Sequence, residues 1–189
     1  MPAANERALE KAKTIATDAI IFDLEDAVAP DAKVSARGNA VAAVSSGAYG
    51  SRELTIRCNG LDTPWGVDDL AAAAQTGAAA VVIPKVSSVD YLAKVSDRLD
   101  AAGARADMKI WAMVETPTAI LDIRAIAGFW RVDVLVMGTN DLARELRASH
   151  SAADGYPLLP HLATALLAAR GAGKTILDGV FNDVKNLTD

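Results

Sequence analysis

The sequence predicts an α/β protein built on a parallel sheet, and three observations lead to this fold class. Six short apolar runs alternate strictly with helical patterns from Ala19 onward, and such alternation requires right-handed crossovers between parallel strands. Several runs are apolar throughout, which is typical of strands buried on both faces. The chain also opens with a helix and closes soon after a strand. We therefore predict one domain over residues 1–189, a truncated (β/α)8 barrel without its first and last strands. A complete, open, doubly wound sheet is the alternative.

The first half of the chain is expected to form three strands with helices before and after them. Asparagine and proline residues mark helix starts, since asparagine caps first turns and proline fits them. The predicted elements are a helix over 6–16 capped by Asn5, a strand over 19–22, a helix from 31 to about 45 opened by Pro30, a strand over 53–57, a helix begun by Thr63 and Pro64 and stopped at Gly77, a strand over 79–83, and a helix begun by Ser87 and Asp90.

The second half repeats the pattern with three more strands. A second Thr-Pro pair predicts a helix start directly after the strand that ends at Glu115. The predicted elements are that strand from Trp111, a helix from Thr116 with Ile120, Ile123 and Ile126 on its apolar face, a strand over 132–137, a short helix through Leu146, a polar loop over 148–156, a helix from Leu158 closed by Gly171 and Gly173, and a strand over 174–178.

Composition excludes several classes of partner. The net charge of −5 gives no general attraction for nucleic acid or an anionic membrane, and the 5% aromatic content argues against stacking platforms for single strands. No run of about 18 apolar residues is present, and the first residues lack the pattern of a signal peptide. A single cysteine, Cys58, fits a reducing compartment. The sequence therefore predicts a cytoplasmic protein without nucleic-acid or membrane partners.

Glu115 and Asp141 are the strongest candidates for chemistry. Each follows an apolar run that ends at a small-residue turn, and the carboxyl ends of parallel strands are where α/β proteins bind ligands. Two carboxylates with no histidine or cysteine beside them favour a hard, oxygen-loving cation such as Mg²⁺. The alternative is that both acids serve helix N-termini as caps or first-turn charges.

Glu25, Asp26 and Arg57 also follow or end predicted strands. The two acids would accept hydrogen bonds from metal-bound waters, or lie in a solvated loop. Arg57 is suited to bidentate binding of a substrate carboxylate. A salt bridge from Arg57 to Asp23, Glu25 or Asp26 is the compatible alternative.

Three further basic residues are candidates for binding phosphate or forming a Schiff base. Lys33 and Arg37 lie four residues apart on one predicted helix, where they would bind phosphates or form a solvated helix face. Lys85, after Pro84, is placed for a Schiff base, but nothing in the sequence shows the apolar pocket that would lower its pKa.

Several motifs together resemble a known family. In chain order they are residues 5–11 (NERALEK), 23–28 (DLEDAV), 57–64 (RCNGLDTP), 84–85 (PK), 114–117 (VETP) and 138–142 (GTNDL). They resemble the citrate lyase β-subunit-like branch of the HpcH/HpaI aldolase superfamily, which includes malyl-CoA and citramalyl-CoA lyases. The resemblance covers nearly the whole chain, with the motifs in the same order.

The resemblance implies a (β/α)8 barrel that binds Mg²⁺ and reversibly cleaves a carbon–carbon bond in a 3-hydroxyacyl-CoA, giving a 2-oxo acid and an acyl-CoA. It also implies a role for each matching residue. Glu115 and Asp141 would bind the metal directly, and Glu25 and Asp26 would hold metal-bound waters. Arg57 would bind the substrate carboxylate or keto oxygen, and Glu115, Gly138 and Thr139 would also lie at the substrate, with backbone amides after Gly138 helping to cradle its carboxylate. Lys33 and Arg37 would approach the CoA phosphates.

The sequence departs from the family pattern at both ends. The first strand, the last strand and a C-terminal segment that carries a catalytic acid in some CoA lyases are expected to be missing. The family also implies a trimer or hexamer for a full-length chain. Three alternatives stay open: an aldolase on free 2-oxo acids, a catalytically inactive binding or assembly subunit, and an acyl-carrier protein in place of CoA.

Overall fold

The computed structural model describes residues 1–149, 156–180 and 182, and these form six strands and eight α-helices. The elements in chain order are α1 (Glu6–Ala12), β1 (Ala19–Asp23), a 3₁₀-helix (Pro30–Ala32), α2 (Lys33–Ser45), β2 (Glu53–Arg57), α3 (Gly66–Ala74), β3 (Ala80–Ile83), α4 (Val89–Ala101), β4 (Lys109–Val114), α5 (Pro117–Leu121), α6 (Ile123–Gly128), β5 (Val132–Met137), α7 (Thr139–Leu146), α8 (Leu159–Gly171) and β6 (Thr175–Leu177).

The six strands form one sheet in the order in which they occur in the chain. β1 pairs with β2, β2 with β3 and β5 with β6, each in parallel. The predicted α/β fold with a parallel sheet is therefore confirmed. A doubly wound sheet reverses its strand order at a switch point, and the sequential order here lacks that reversal, so it favours the barrel over the open sheet. The truncated barrel itself stays a prediction.

The chain divides into two compact units. The first comprises Met1–Pro84 and Val89–Trp111, and the second comprises Lys85–Ser88 and Ala112–Asp189. In the first unit Phe22 and Tyr49 pack edge to face, with ring centroids 5.2 Å apart, which is a favoured aromatic geometry. In the second unit Leu135 of β5 and Ile126 of α6 are fully buried. Each unit thus has an apolar core of its own.

The first three residues lie beside β1. The Met1 amine donates to the Ile21 carbonyl at 2.7 Å, the Asp23 amide donates to the Met1 carbonyl at 2.8 Å, and Pro2 forms a parallel bridge with Asp23. Residues 1–3 therefore supply a parallel partner to the end of β1, where the sequence had predicted no preceding strand.

Most predicted elements are confirmed, and three helix boundaries were wrong. α1 ends at Ala12 rather than at residue 16. After Ala12 the backbone amides donate to carbonyls three residues earlier instead of four, and the Thr14 hydroxyl donates to the Lys11 carbonyl. The helix predicted from Thr116 is divided at Asp122 into α5 and α6. α3 begins at Gly66 instead of at the Thr63-Pro64 pair. The predicted loop at 148–156 falls largely outside the described residues.

None of the described helices is both long and apolar enough to cross a membrane.

Candidate functional site

Glu115 follows β4 and is buried, with only 2% of its surface exposed. Its Oε1 accepts a hydrogen bond from the Lys85 backbone amide at 2.7 Å. Lys85 adopts a left-handed backbone conformation with φ of 50°, which non-glycine residues rarely adopt. The Lys85 backbone amide therefore helps to orient the Glu115 carboxylate.

Gly138 follows β5 and lies directly against Glu115. Its amide donates to the Val114 carbonyl at 3.0 Å, which joins the ends of β4 and β5. A Cβ atom at position 138 would lie 2.5 Å from Glu115 Cβ and 2.5 Å from Glu115 Oε2, closer than real Cβ contacts. Only glycine fits here, so Gly138 has a steric role beside Glu115, while its own amide is bonded to Val114.

Asp141 lies in the first turn of α7 and is 8% exposed. Its Oδ1 pairs with Arg144 Nη2 at 3.0 Å, one turn along the helix. Its Oδ2 is buried and has no hydrogen-bond partner in the described part of the chain. A buried carboxylate oxygen without a partner is costly and rare in native proteins, so this atom indicates a ligand.

The donor set fits Mg²⁺. Among the described residues no group of three or more histidine, cysteine, aspartate or glutamate side chains could hold a metal ion, as zinc would require. Mg²⁺ is commonly bound through one or two carboxylates, with waters and substrate completing its octahedron. Glu115 and Asp141 belong to the same unit and offer two buried carboxylates of this kind.

Thr139, the first residue of α7, contacts the chain after β6. A Cβ atom at Gly179 would collide with the Thr139 side chain, so the Gly179 backbone lies directly against that side chain. The amides of the first turn of a helix have no partners within it and favour an anion. This placement is compatible with a carboxylate cradle formed by the amides after Gly138, beginning at Thr139, whereas the Gly138 amide itself donates to Val114.

Arg57 ends β2 directly opposite Asp23 of β1. Its Nε donates to Asp23 Oδ1 at 2.6 Å and its Nη2 to Asp23 Oδ2 at 2.5 Å, while Nη1 lies 3.2 Å from Glu25 Oε2. The salt-bridge alternative for Arg57 is therefore realised, with Asp23 as its main partner.

The pairing shifts both pKa values. Burial by itself would raise the pKa of Asp23, but hydrogen bonds from Arg57 and from the amides of Glu25 and Ala27 outweigh it and hold that pKa below its ordinary value of 3.8. Burial would lower the pKa of Arg57, but hydrogen bonds to Asp23 and the nearby carboxylates outweigh it and raise that pKa. Both groups are therefore charged at neutral pH.

Glu25 and Asp26 lie in different environments. Glu25 is buried and faces Arg57, whereas Asp26 is exposed and donates its amide to Glu25 Oε2 at 3.2 Å. Their contact with metal-bound waters stays a prediction.

Lys33 and Arg37 do not form the solvated face considered from the sequence. Lys33 is 6% exposed, and its Nζ donates to three oxygens of the first unit, which accounts for all three of its hydrogens. Arg37 pairs with Asp69 at 2.6 Å and with Asp68 at 3.5 Å. These contacts do not support the predicted role of either residue at CoA phosphates.

Asn59 and Asp69 were missed as functional candidates. Asn59 accepts from Lys33 and donates to Asp69, which is 1% exposed. The only sequence signal was the position of Asn59 two residues beyond Arg57. Asp69 resembles any acid in the first turn of a helix.

Comparison with known proteins gives close matches over nearly the whole chain. The (3S)-malyl-CoA thioesterase of Cereibacter sphaeroides (strain ATCC 17025 / ATH 2.4.3) is 46% identical over 98% of this chain and 63% of its own length. Citrate lyase subunit beta of Escherichia coli (strain K12) is 32% identical, again over 98% and 63%. The chain thus spans about 63% of the length of these curated relatives.

The solved structures agree. CitE from Mycobacterium tuberculosis in complex with magnesium, acetoacetate and coenzyme A has a TM-score of 0.82 and 28% identity, covering 98% of this chain and 66% of its own. The citrate lyase beta subunit of the same organism, complexed with oxaloacetate and magnesium, has a TM-score of 0.82 and 29% identity, covering 98% and 78%. The sequence profile of one family, HpcH/HpaI aldolase/citrate lyase, matches residues 1–189. The family predicted from the motifs is confirmed: the chain belongs to the HpcH/HpaI aldolase/citrate lyase family.

Proposed function

We propose that the chain is a Mg²⁺-dependent lyase that cleaves the carbon–carbon bond of a 3-hydroxyacyl thioester of the malyl-CoA, citramalyl-CoA or citryl type. The observation that carries the proposal is the buried Asp141 Oδ2, which has no hydrogen-bond partner among the described residues and lies one helical turn from the Gly138 that packs on Glu115. Family membership supports it, as do relatives whose complexes contain magnesium with acetoacetate and coenzyme A or with oxaloacetate.

Each residue has a role in this proposal. Glu115 and Asp141 would hold the metal, which supplies Lewis-acid stabilisation of charge on the substrate hydroxyl oxygen as it becomes a carbonyl. The first-turn amides of α7, from Thr139, would orient the substrate carboxylate. Arg57 would place fixed positive charge at the carboxylate or keto oxygen. Asp23 and Glu25 keep that guanidinium charged and in place.

The bond changes balance as follows. The substrate hydroxyl loses its proton, its carbon becomes a carbonyl, and the bond to the carbon next to the thioester breaks. The electron pair of that bond forms an acyl-thioester enolate, which takes up one proton. With malyl-CoA the products are glyoxylate and acetyl-CoA. No Schiff base is required, so the Lys85 amine is not needed as a nucleophile.

A second candidate is hydrolysis of the thioester, favoured by the relative named (3S)-malyl-CoA thioesterase at 46% identity. Here water attacks the thioester carbonyl, the carbon–sulfur bond breaks, and CoA leaves as a free thiol with malate as the other product. The same carboxylate-binding residues would hold the substrate, but the bond that breaks differs.

The test is to incubate the purified chain with malyl-CoA and Mg²⁺ and to quantify glyoxylate and free thiol in parallel. Glyoxylate without free thiol supports the lyase, and free thiol without glyoxylate supports hydrolysis and contradicts the lyase. We expect Glu115→Gln and Asp141→Asn each to lower the rate at least about 100-fold, since each removes a metal ligand. Asp133→Asn is the matched control, because Asp133 is an exposed acid of the same unit.

The remaining alternatives give different results in the same assays. Cleavage of a free 4-hydroxy-2-oxo acid with none of malyl-CoA would favour the aldolase without CoA. A folded chain that binds no Mg²⁺ in calorimetry would favour the inactive binding subunit. The acyl carrier, the cytoplasmic location and the homo-oligomer stay predictions.

A further inference from the structure

Four side chains form a buried polar network in the first unit: Lys33, Arg37, Asn59 and Asp69, here called the Lys33 network. Lys33, Asn59 and Asp69 are each less than 7% exposed. Nothing in the proposed chemistry uses these residues directly. Burying an ammonium, a guanidinium and a carboxylate costs free energy that an apolar cluster would avoid, so the network calls for an explanation.

Lys33 is the centre of the network. Its Nζ donates to the Leu24 carbonyl at 2.9 Å, to the Glu25 carbonyl at 2.8 Å and to Asn59 Oδ1 at 2.8 Å. It also lies 5.3 Å from the centroid of the Trp65 ring, within the range of a cation–π contact. An ammonium has three N–H donors, and all three have acceptors here.

The rest of the network fixes Asn59. Its side-chain amide donates to Asp69 Oδ2 at 2.6 Å and to the Leu24 carbonyl at 3.0 Å, and its backbone amide donates to Asp69 Oδ2 at 3.0 Å. Arg37 Nε then donates to Asp69 Oδ1 at 2.6 Å. Fully satisfied polar networks of this kind specify a single geometry.

The network leads to Arg57 through the main chain. The Leu24 amide donates to the Arg57 carbonyl at 2.9 Å. The Leu24 carbonyl accepts hydrogen bonds from Lys33 Nζ and from the Asn59 side-chain amide. The next residue, Glu25, donates its amide to Asp23 Oδ1 at 2.8 Å and directs its carboxylate to Arg57. Lys33 thus holds the turn that carries both carboxylate partners of Arg57.

We infer that Lys33 is a positioning residue for Arg57. By fixing the peptide groups of Leu24 and Glu25, it sets where Asp23 and Glu25 hold the guanidinium. The inference rests on the proposed function only in giving Arg57 a substrate carboxylate to bind. An apolar residue at position 33 would fill the space but would leave three acceptors unsatisfied and the turn free to move.

The first measurement is amide hydrogen exchange of the 189-residue chain, which needs no activity. In Lys33→Met we expect the amides of Glu25 and Ala27, which donate to Asp23, to exchange at least about tenfold faster, because they open locally. The amide of Val81 in β3 should keep its rate. Lys94→Met is the matched control, since Lys94 is an exposed lysine of the same unit.

The second measurement is steady-state cleavage of malyl-CoA. A displaced Arg57 should weaken substrate binding more than the chemical step, so KM should rise about tenfold with kcat changed less than about threefold. If Lys33→Met fails to fold, Asp69→Asn serves instead. It keeps the Lys33 contacts with the Leu24 and Glu25 carbonyls and loosens Asn59, and we expect the same pattern at about threefold.

The outcomes separate the two proposals. Unchanged exchange at Glu25 and Ala27 in the folded variant, or equal acceleration at Val81, would overturn the positioning role. Selective acceleration with a raised KM supports it. Selective acceleration in a chain whose wild type cleaves no thioester would support the positioning of Arg57 and contradict the lyase.

Discussion

At the scale of single residues, the Glu115 carboxylate depends on backbone atoms from two other parts of its unit. The Lys85 amide binds Oε1, and the missing side chain of Gly138 makes room for Oε2. Neither contribution comes from a functional group that a sequence motif would display as chemistry. The candidate metal ligand is thus preorganised by main chain.

Replacing Gly138 by alanine should abolish Mg²⁺ binding. The added Cβ would lie 2.5 Å from both Cβ and Oε2 of Glu115, so the carboxylate must move. The overpacking should also lower the free energy of unfolding by about 1–3 kcal/mol. Calorimetric titration with Mg²⁺ and denaturant unfolding would measure both effects. Gly128→Ala is the control, because nothing lies within 4 Å of a Cβ there; retained Mg²⁺ affinity in Gly138→Ala would contradict the described geometry.

Replacing Asp23 by asparagine should destabilise the chain in a pH-dependent way. At neutral pH we expect a loss of about 3 kcal/mol, since Arg57 loses its main buried partner. The pKa of Asp23 is lowered in the folded state from its ordinary 3.8. The stabilisation is therefore full above that ordinary value and is lost as the pH falls through the folded-state pKa.

Denaturant unfolding of wild type and Asp23→Asn at neutral pH and below pH 3.8 would measure this. The two curves should converge in acid. A difference that stays constant with pH would show that the Asp23 charge is not its cause. Asp107→Asn, which removes an exposed partner of Arg105, should change stability little at any pH.

The sequence identified Glu115, Asp141 and Arg57 as candidates because each lies at the end of an apolar run. It did not reveal what Lys33 touches. A lysine in a predicted helix is usually expected to be exposed to solvent. The atoms that accept hydrogen bonds from Lys33 belong to Leu24, Glu25 and Asn59, and Asn59 is 26 residues away in the chain. Long-range hydrogen bonding of this kind leaves no periodic signal.

At the scale of the secondary-structure elements, two identical Thr-Pro pairs behave differently. Thr116 caps α5, its hydroxyl oxygen accepting from the Ala119 amide at 3.1 Å. The Thr63 hydroxyl instead donates to the Gly60 carbonyl at 2.7 Å. α3 then begins at Gly66, where a Cβ would collide with that same carbonyl. A Thr-Pro pair therefore predicts a helix start only when the threonine hydroxyl is not already bonded within a tight turn. Tertiary packing decides whether the hydroxyl caps the helix or closes the turn.

Thr116→Ala should therefore lower the free energy of unfolding by about 1 kcal/mol, the usual cost of a lost N-cap. Thr116→Ser should retain most of the stability, since its hydroxyl oxygen can accept the same bond. Denaturant melts of the three proteins would show this order. Equal stability of the alanine and serine variants would mean that the cap contributes nothing measurable.

At the scale of the whole molecule, the order of the strands and helices was predictable from the sequence, but the division of the chain into two compact units was not. Alternation of apolar runs and helical patterns predicted six strands in a parallel sheet, and six strands are found in sequential order, with β1–β2, β2–β3 and β5–β6 paired in parallel. The division into two compact units was not expected, because it reflects the density of contacts between distant residues rather than any linker composition.

Mg²⁺ binding should raise the stability of the folded chain through mass action. At a concentration 100 times its dissociation constant, a ligand that binds only the native state adds about 2.7 kcal/mol. We expect a corresponding rise in Tm for wild type and for Asp133→Asn, and none for Glu115→Gln. Differential scanning fluorimetry against a chelator baseline measures it, and a rise of equal size in Glu115→Gln would place the ion elsewhere.

The left-handed backbone at Lys85 bears on how natural variation at this position should be interpreted. Alanine at position 85 keeps the amide that binds Glu115, so an alanine scan does not test this backbone contact. Proline would remove that amide and cannot adopt a φ of 50°, whereas glycine would adopt it more readily than lysine. The contact between the position 85 amide and Glu115 thus depends on backbone conformation, so a glycine there in a related protein would preserve that contact and a proline would mark its loss.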